Sequence, residues 1–185
     1  LLMEPAIRSR RESVLLSLYS SQNGLIVHCS AVEDSGSSFI FAGVADAGKS
    51  TLANKLGKIM TVINDDMNIL EFCDNGIKVS TYFTQQENQG FHYLINENAT
   101  GILKAVLFPV KELKKDSYLE QLSDKGFIWK ALLNCVAPPI TGEDHLFPNY
   151  YKMIDRVMDT VPFFNIHHNL KDSAEQIATL LRSVK

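Results

Sequence analysis

Gly43-Val44-Ala45-Asp46-Ala47-Gly48-Lys49-Ser50-Thr51 is the stretch that decides how this chain is read. The apolar run Ser38-Phe39-Ile40-Phe41-Ala42 precedes it, and the helix-forming run Leu52 to Lys58 follows. This is the Walker A pattern, G-x-x-x-x-G-K-[ST], in its required setting of strand, loop and helix N-terminus. Backbone N–H groups of such a loop and of the first helical turn form a concave anion site, so a polyphosphate sheds water without losing hydrogen bonds. Lys49 adds a point charge for the outer phosphates, and the Ser50 hydroxyl is placed to ligate Mg²⁺. With average residue usage the signature arises by chance in roughly one chain of this length per hundred. Residues 43 to 51 therefore predict nucleotide binding.

Outward from that loop, the pair Asp65-Asp66 lies 16 and 17 residues after Lys49, at the end of the next strand, Met60 to Ile63. A return strand brings these carboxylates to the edge of the sheet where ligands bind. Adjacent carboxylates suit two tasks, one ligating Mg²⁺ and the other activating a hydroxyl. His28, 15 residues before Gly43, is predicted to end the strand before the loop.

Elsewhere the pattern is mixed. A helix is expected from Ile7 to Tyr19, ended by Gly24, and a hairpin of Leu25–Val32 with Ser38–Ala42 around Gly36. Strands Ile69–Cys73 and Ile77–Phe83 flank Asn75-Gly76, and Phe91–Ile95 and Ile102–Val110 read as two more. From Ser117 the spacing of Leu119, Leu122, Trp129, Leu132 and Leu133 predicts a helix, stopped by Pro138-Pro139. Tyr150–Met158 reads as a helix and Val161–Ile166 as a strand, and a last helix has Asp172 and Glu175 in capping-box spacing. The fold class is α/β with several antiparallel strands, not a regular βαβ alternation. One domain is expected over residues 1–185, with an N-terminal helical segment 1–23, a strand-rich core 24–110 and a mostly helical part 111–185.

The bulk numbers fit a soluble globular chain of 185 residues, 45% apolar and 21% charged. A net charge of −3 without a local basic run argues against nucleic acid or an anionic membrane as main partner. Cys29, Cys73 and Cys135 lack C-x-x-C spacing and read as reduced thiols of a cytoplasmic protein. The opening Leu1-Leu2-Met3-Glu4-Pro5 is not a signal peptide, because Arg8, Arg10 and Arg11 follow the apolar residues; without Met at position 1, a trimmed chain or fragment is expected. His167-His168, adjacent on a strand end, point to opposite faces and make a poor metal pair. Lys111, Lys114 and Lys115 form a small basic patch, the best candidate for an acidic partner or nucleotide tail.

Taken together, Val27-His28-Cys29-Ser30-Ala31-Val32, then Gly43 to Thr51, then Ile63-Asn64-Asp65-Asp66 resembles the catalytic domain of HPr kinase/phosphorylase. The likeness covers roughly residues 20 to 70; beyond them only length and element order are compatible. It implies the P-loop fold shared with phosphoenolpyruvate carboxykinases, with a mixed, partly antiparallel sheet. It implies that Gly43 to Thr51 bind ATP, that Ser50 and one aspartate (Asp66) hold Mg²⁺, and that the neighbouring aspartate (Asp65), near His28, acts as base toward a protein serine. The split between the two aspartates stays open.

Departures separate this chain from that family. The family's Ser and second Gly inside the loop are Ala45 and Asp46 here. Asp tolerates the left-handed conformation, but its carboxylate repels phosphates unless it points outward or reaches a metal or Lys. The family's N-terminal domain and Glu-x-Arg-Gly segment are not found; the region Leu94-Ile95-Asn96-Glu97-Asn98 has no Arg. No arginine occurs between Arg11 and Arg156, so an arginine in cis would be Arg156 or Arg182, unless a lysine or a second subunit of a homo-oligomer replaces it. The chain is more similar to short, single-domain relatives of HPr kinase, some of which phosphorylate a serine on a peptide. A kinase acting on a peptide or protein hydroxyl is expected; the alternatives are a non-catalytic, nucleotide-responsive module and a small-metabolite P-loop kinase.

Overall fold

The computed structural model describes residues 13–82, 96, 98–139 and 142–184. Helix α1 covers residues 13–21, and the chain then runs β1 (Gly24–Asp34), β2 (Ser37–Ala42), α2 (Lys49–Leu56), β3 (Thr61–Asn64), β4 (Met67–Cys73) and β5 (Gly76–Thr81). It continues through β6 (Thr100–Glu112), β7 (Tyr118–Gln121), α3 (Lys125–Leu133), α4 (Phe147–Thr160), β8 (Phe163–Asn169) and α5 (Ala174–Arg182).

Among the described residues the eight strands join one mixed sheet. β2 pairs antiparallel with β1 and parallel with β6, and β6 pairs parallel with β8. β4, β5 and β7 join antiparallel, and the pairings β1–β2–β6–β5–β4–β1 close into a ring from which β8 and β7 extend. Alternation along β2 shows how the layers form: Ile40 and Ala42 face a core with α1, α3 and α4, while Phe39 and Phe41 face a second core with α2 and α5. Helices therefore cover both sides of the sheet, and the fold is α/β with a mixed sheet.

Several expectations need correction. Residues 118–121 form strand β7, not the start of a helix, because the Tyr118 ring stacks on His167 at 4.3 Å and Glu120 accepts a hydrogen bond from Asn165. The three-residue spacing of Leu119 and Leu122 only imitated a helix, which begins after the Asp124 cap, and residues 111–185 hold two strands besides their helices. The first hairpin does turn at Gly36 as expected, with Ser35 beside it, both left-handed (φ 53 and 83). In the second, Cys73 pairs with Gly76, so Asp74-Asn75 form the turn and Gly76 takes the positive φ. α5 is capped one residue later than expected, by Ser173 with Gln176, because Asp172 instead accepts from the Ser117 hydroxyl and amide. The expected strand Phe91–Ile95 lies outside the described residues.

Candidate functional site

Residues 43–48 leave the carboxyl end of β2 and turn into α2. The turn needs three residues at positive φ: Gly43 (142), Asp46 (61) and Gly48 (107). Asp46 thus takes the left-handed conformation expected of it, with its side chain exposed beside exposed Val44 and Ala45. Gly48 is the N-cap of α2; no side chain caps this helix and no acidic residue lies in its first turn. The N–H groups of that turn are left for an outside acceptor. Lys49 is 7% exposed, and its Nζ folds back to donate to the carbonyls of Gly43 and Val44, each at 2.9 Å. Ser50 is half-buried, Ala47 likewise, and Thr51 is exposed.

β3 and β4 both pair with β1: Ala31 stands opposite Asn64 at the end of β3 and His28 opposite Met67 at the start of β4, in one register, while the rest of β3 is shifted by a bulge after Ala31. Asp65 and Asp66 therefore interrupt one long return strand, opposite Ser30 and Cys29. Buried Asn64 fixes this bend: its amide donates to the carbonyls of Met67 and Tyr82, while its oxygen accepts from the Asp65 N–H. Cys29 in turn faces Ala42 across β1–β2. Two strand spacings, roughly 10 Å, thus separate the Asp66 backbone from the foot of the loop. His28 is not at a strand end, as expected, but inside β1, level with Gly43. Its Nε2 lies 3.6 Å from Asp66 Oδ1, both side chains open to solvent, while Asp65 Oδ1 accepts from the Ser30 hydroxyl.

Lys49, Asp65, Cys29 and Cys135 share one electrostatic neighbourhood. Burial pushes the Cys29 thiol far up, opposed by its hydrogen bond from Asn68; the charges of Cys135 and Asp65 add to the rise and that of Lys49 opposes it. Cys135 is raised by burial too, against a hydrogen bond with the Gly43 backbone and the charge of Lys49. Both thiols are packed and protonated. Among the described residues no group of three or more His, Cys, Asp or Glu side chains gathers as for a transition metal. The donors here are oxygens, the Ser50 hydroxyl and the two carboxylates, and that set fits Mg²⁺, which keeps waters and takes few protein ligands.

The two arginines among the described residues lie elsewhere. The Arg156 guanidinium sits over the Phe72 ring at 4.1 Å, and Arg182 pairs with Asp34 at 2.7 Å, at the end of the β1–β2 hairpin remote from Gly43. Neither reaches the loop, so the expectation of an arginine in cis is not met by these two. His167 and His168 do point apart: His167 meets Glu120 at 3.1 Å, and His168 turns under the loop. His145 pairs with Glu143, and His92 and Glu97 lie outside the described residues.

Sequence reasoning missed the supports of this region. Lys55 of α2 donates to the carbonyls of Asn169, Leu170 and Asp172, at 3.4, 3.0 and 2.7 Å, tying the helix to the end of β8. His168, 2% exposed, lies against Gly48: a Cβ built there would stand 2.6 Å from His168 Nε2. No spacing signal links residues 48 and 168; only the parallel pairing of β6 with β8 carries the latter to this edge.

No family model matches the chain, and no curated protein matches it. Among solved structures it is similar to the Hpr(Ser) kinase/phosphatase from Coxiella burnetii, at 15% identity over 85% of this chain and 88% of that one, with a TM-score of 0.49. Among the described residues, no helix is long and apolar enough to cross a membrane.

Proposed function

We propose that this chain is a Mg-dependent ATP-binding protein that transfers phosphate to a hydroxyl, a serine on a peptide or protein. One observation carries the reading. The G-x-x-x-x-G-K-[ST] stretch is folded as a left-handed loop onto an uncapped helix N-terminus, with His28 on β1 and Asp66 in the break between β3 and β4 at the same edge. In this reading the amides of residues 43–51 and Lys49 hold the phosphates. Lys49 exchanges its two carbonyl partners for phosphate oxygens. Ser50 and Asp66 hold Mg²⁺, which when bound neutralises charge on the phosphates.

Asp65, oriented by Ser30, accepts the proton of the acceptor hydroxyl. The freed oxygen then bonds to the γ-phosphorus as the bond to ADP breaks. The approach of His28 to Asp66 favours a second reading, with those two roles exchanged and Asp66 as base. Reduced, buried Cys29 and Cys135 support a cytoplasmic setting.

Calorimetric titration of ATP with and without Mg²⁺, followed by mass spectrometry for ADP, tests this. Lys49→Ala is expected to abolish binding, and unchanged affinity would sink the phosphate site. Asp65→Asn and Asp66→Asn are each expected to remove turnover, and the variant that also loses the Mg²⁺ dependence of binding identifies the metal ligand. If ATP binds but neither carboxylate matters to turnover, the chain is the non-catalytic, nucleotide-responsive module instead.

A further inference from the structure

His168 Nε2 is a buried nitrogen without a hydrogen-bond partner, in a ring that is 2% exposed. The ring lies between the sheet and the N-terminus of α2, close enough to Gly48 that any side chain there would collide with it. The Ala47 backbone acts on the ring as well, so the ring sits beside two successive residues of the loop. Burial, first, and then the charges of Lys55 and Lys111 hold the imidazole below its ordinary pKa, so it stays neutral beside the loop.

An unpaired buried nitrogen weakens the unliganded fold, and a phenyl ring of similar shape would fill the same space without that penalty. A polar atom kept at such a position points to a partner that arrives with a ligand. We propose that His168 is a positioning residue of the phosphate loop, holding Ala47-Gly48 in the left-handed turn that aims the loop amides at a polyphosphate and gaining its missing hydrogen bond in the phosphate-bound state. The inference rests on the phosphate-loop reading. It deepens that reading by assigning part of anion recognition to a strand 120 residues away in sequence from Gly48.

The test pairs stability with binding. Wild type, Lys49→Ala, His168→Phe and His168→Gln are melted without ligand and titrated calorimetrically with inorganic tripolyphosphate and with ATP. The expected result is that His168→Phe melts no lower than wild type yet binds both anions about tenfold or more weakly, while His168→Gln, which keeps a polar atom, recovers most of the affinity. Equal loss for the two anions locates the effect at the phosphates. Wild-type affinity in His168→Phe, with binding lost in Lys49→Ala, overturns this inference and leaves the phosphate site standing. No binding by wild type overturns both. Should His168→Phe fail to fold, His168→Ala carries the same criterion, and undiminished tripolyphosphate affinity there overturns the proposal.

Discussion

Helices α2 and α5 lie side by side on one face of the sheet and share a core of Leu52, Ala53, Leu56, Ile177, Ala178 and Leu181, yet their N-termini are opposites. α5 is finished by its own residues. Ser173 accepts from the Gln176 amide, Gln176 reaches back to the Ser173 amide, and Glu175 lies in the first turn. α2 begins on a left-handed glycine, with no side-chain cap and no acidic residue in its first turn. A capping box is worth about 1 kcal/mol to a helix, so an end left without one forgoes stability. The difference teaches where a helix end is closed by its own residues and where it is left open.

The largest effect is expected from forcing the open end to change shape. Gly48→Ala sets a Cβ 2.6 Å from His168 Nε2 on a residue at φ 107. It should cost about 1–3 kcal/mol of stability and displace the loop, seen as a lower melting temperature and lost ATP binding. A melting temperature and ATP affinity equal to wild type would break the contrast at its root.

Next is the closed end. Ser173→Ala should cost about 1 kcal/mol in denaturant unfolding and leave ATP affinity unchanged, because α5 ends in its own hydrogen bonds. A parallel loss of ATP affinity would mean that the two ends are not independent.

A smaller gain is expected at the loop itself. Asp46 carries a carboxylate close to where phosphates would lie, at φ 61, which glycine adopts freely. Asp46→Gly should tighten ATP binding by about 0.3–1 kcal/mol, read by calorimetry. Weaker binding would show that the carboxylate serves the site, through a metal or Lys49.

The smallest effect concerns pH. The Ser117 hydroxyl and then the Ser117 amide hold the Asp172 carboxyl below its ordinary range. A carboxyl lowered in the folded state contributes stability above its unfolded pKa, and the contribution fades as pH falls through about 4 and below. The melting temperature of wild type should therefore drop more steeply in that window than that of Asp172→Asn, and matching profiles would remove Asp172 from the support of α5.

What was legible in the sequence was local. The loop, the helix after it, the bend at Asp65-Asp66 and the left-handed Asp46 all follow from neighbours in the chain, where turn chemistry and spacing act directly. β7 was not legible. Its four residues have a spacing that suits a helix, and only pairing with β8, with Tyr118 stacked on His167, makes them a strand. The cap of α5 was misplaced by one residue for a similar reason, since Asp172 finds Ser117, 55 residues away.

The sequence by itself therefore determined that Gly43 to Thr51 form a left-handed loop opening a helix, and that a carboxylate pair follows on the returning strand. Those are properties of short segments whose backbone has few alternatives. Tertiary structure alone decided that His28 meets Asp66, that Arg156 and Arg182 are spent on Phe72 and Asp34, and that His168 comes to rest beneath Gly48. Each of these is a contact between residues far apart in the chain, set by strand order and register, which no local pattern encodes.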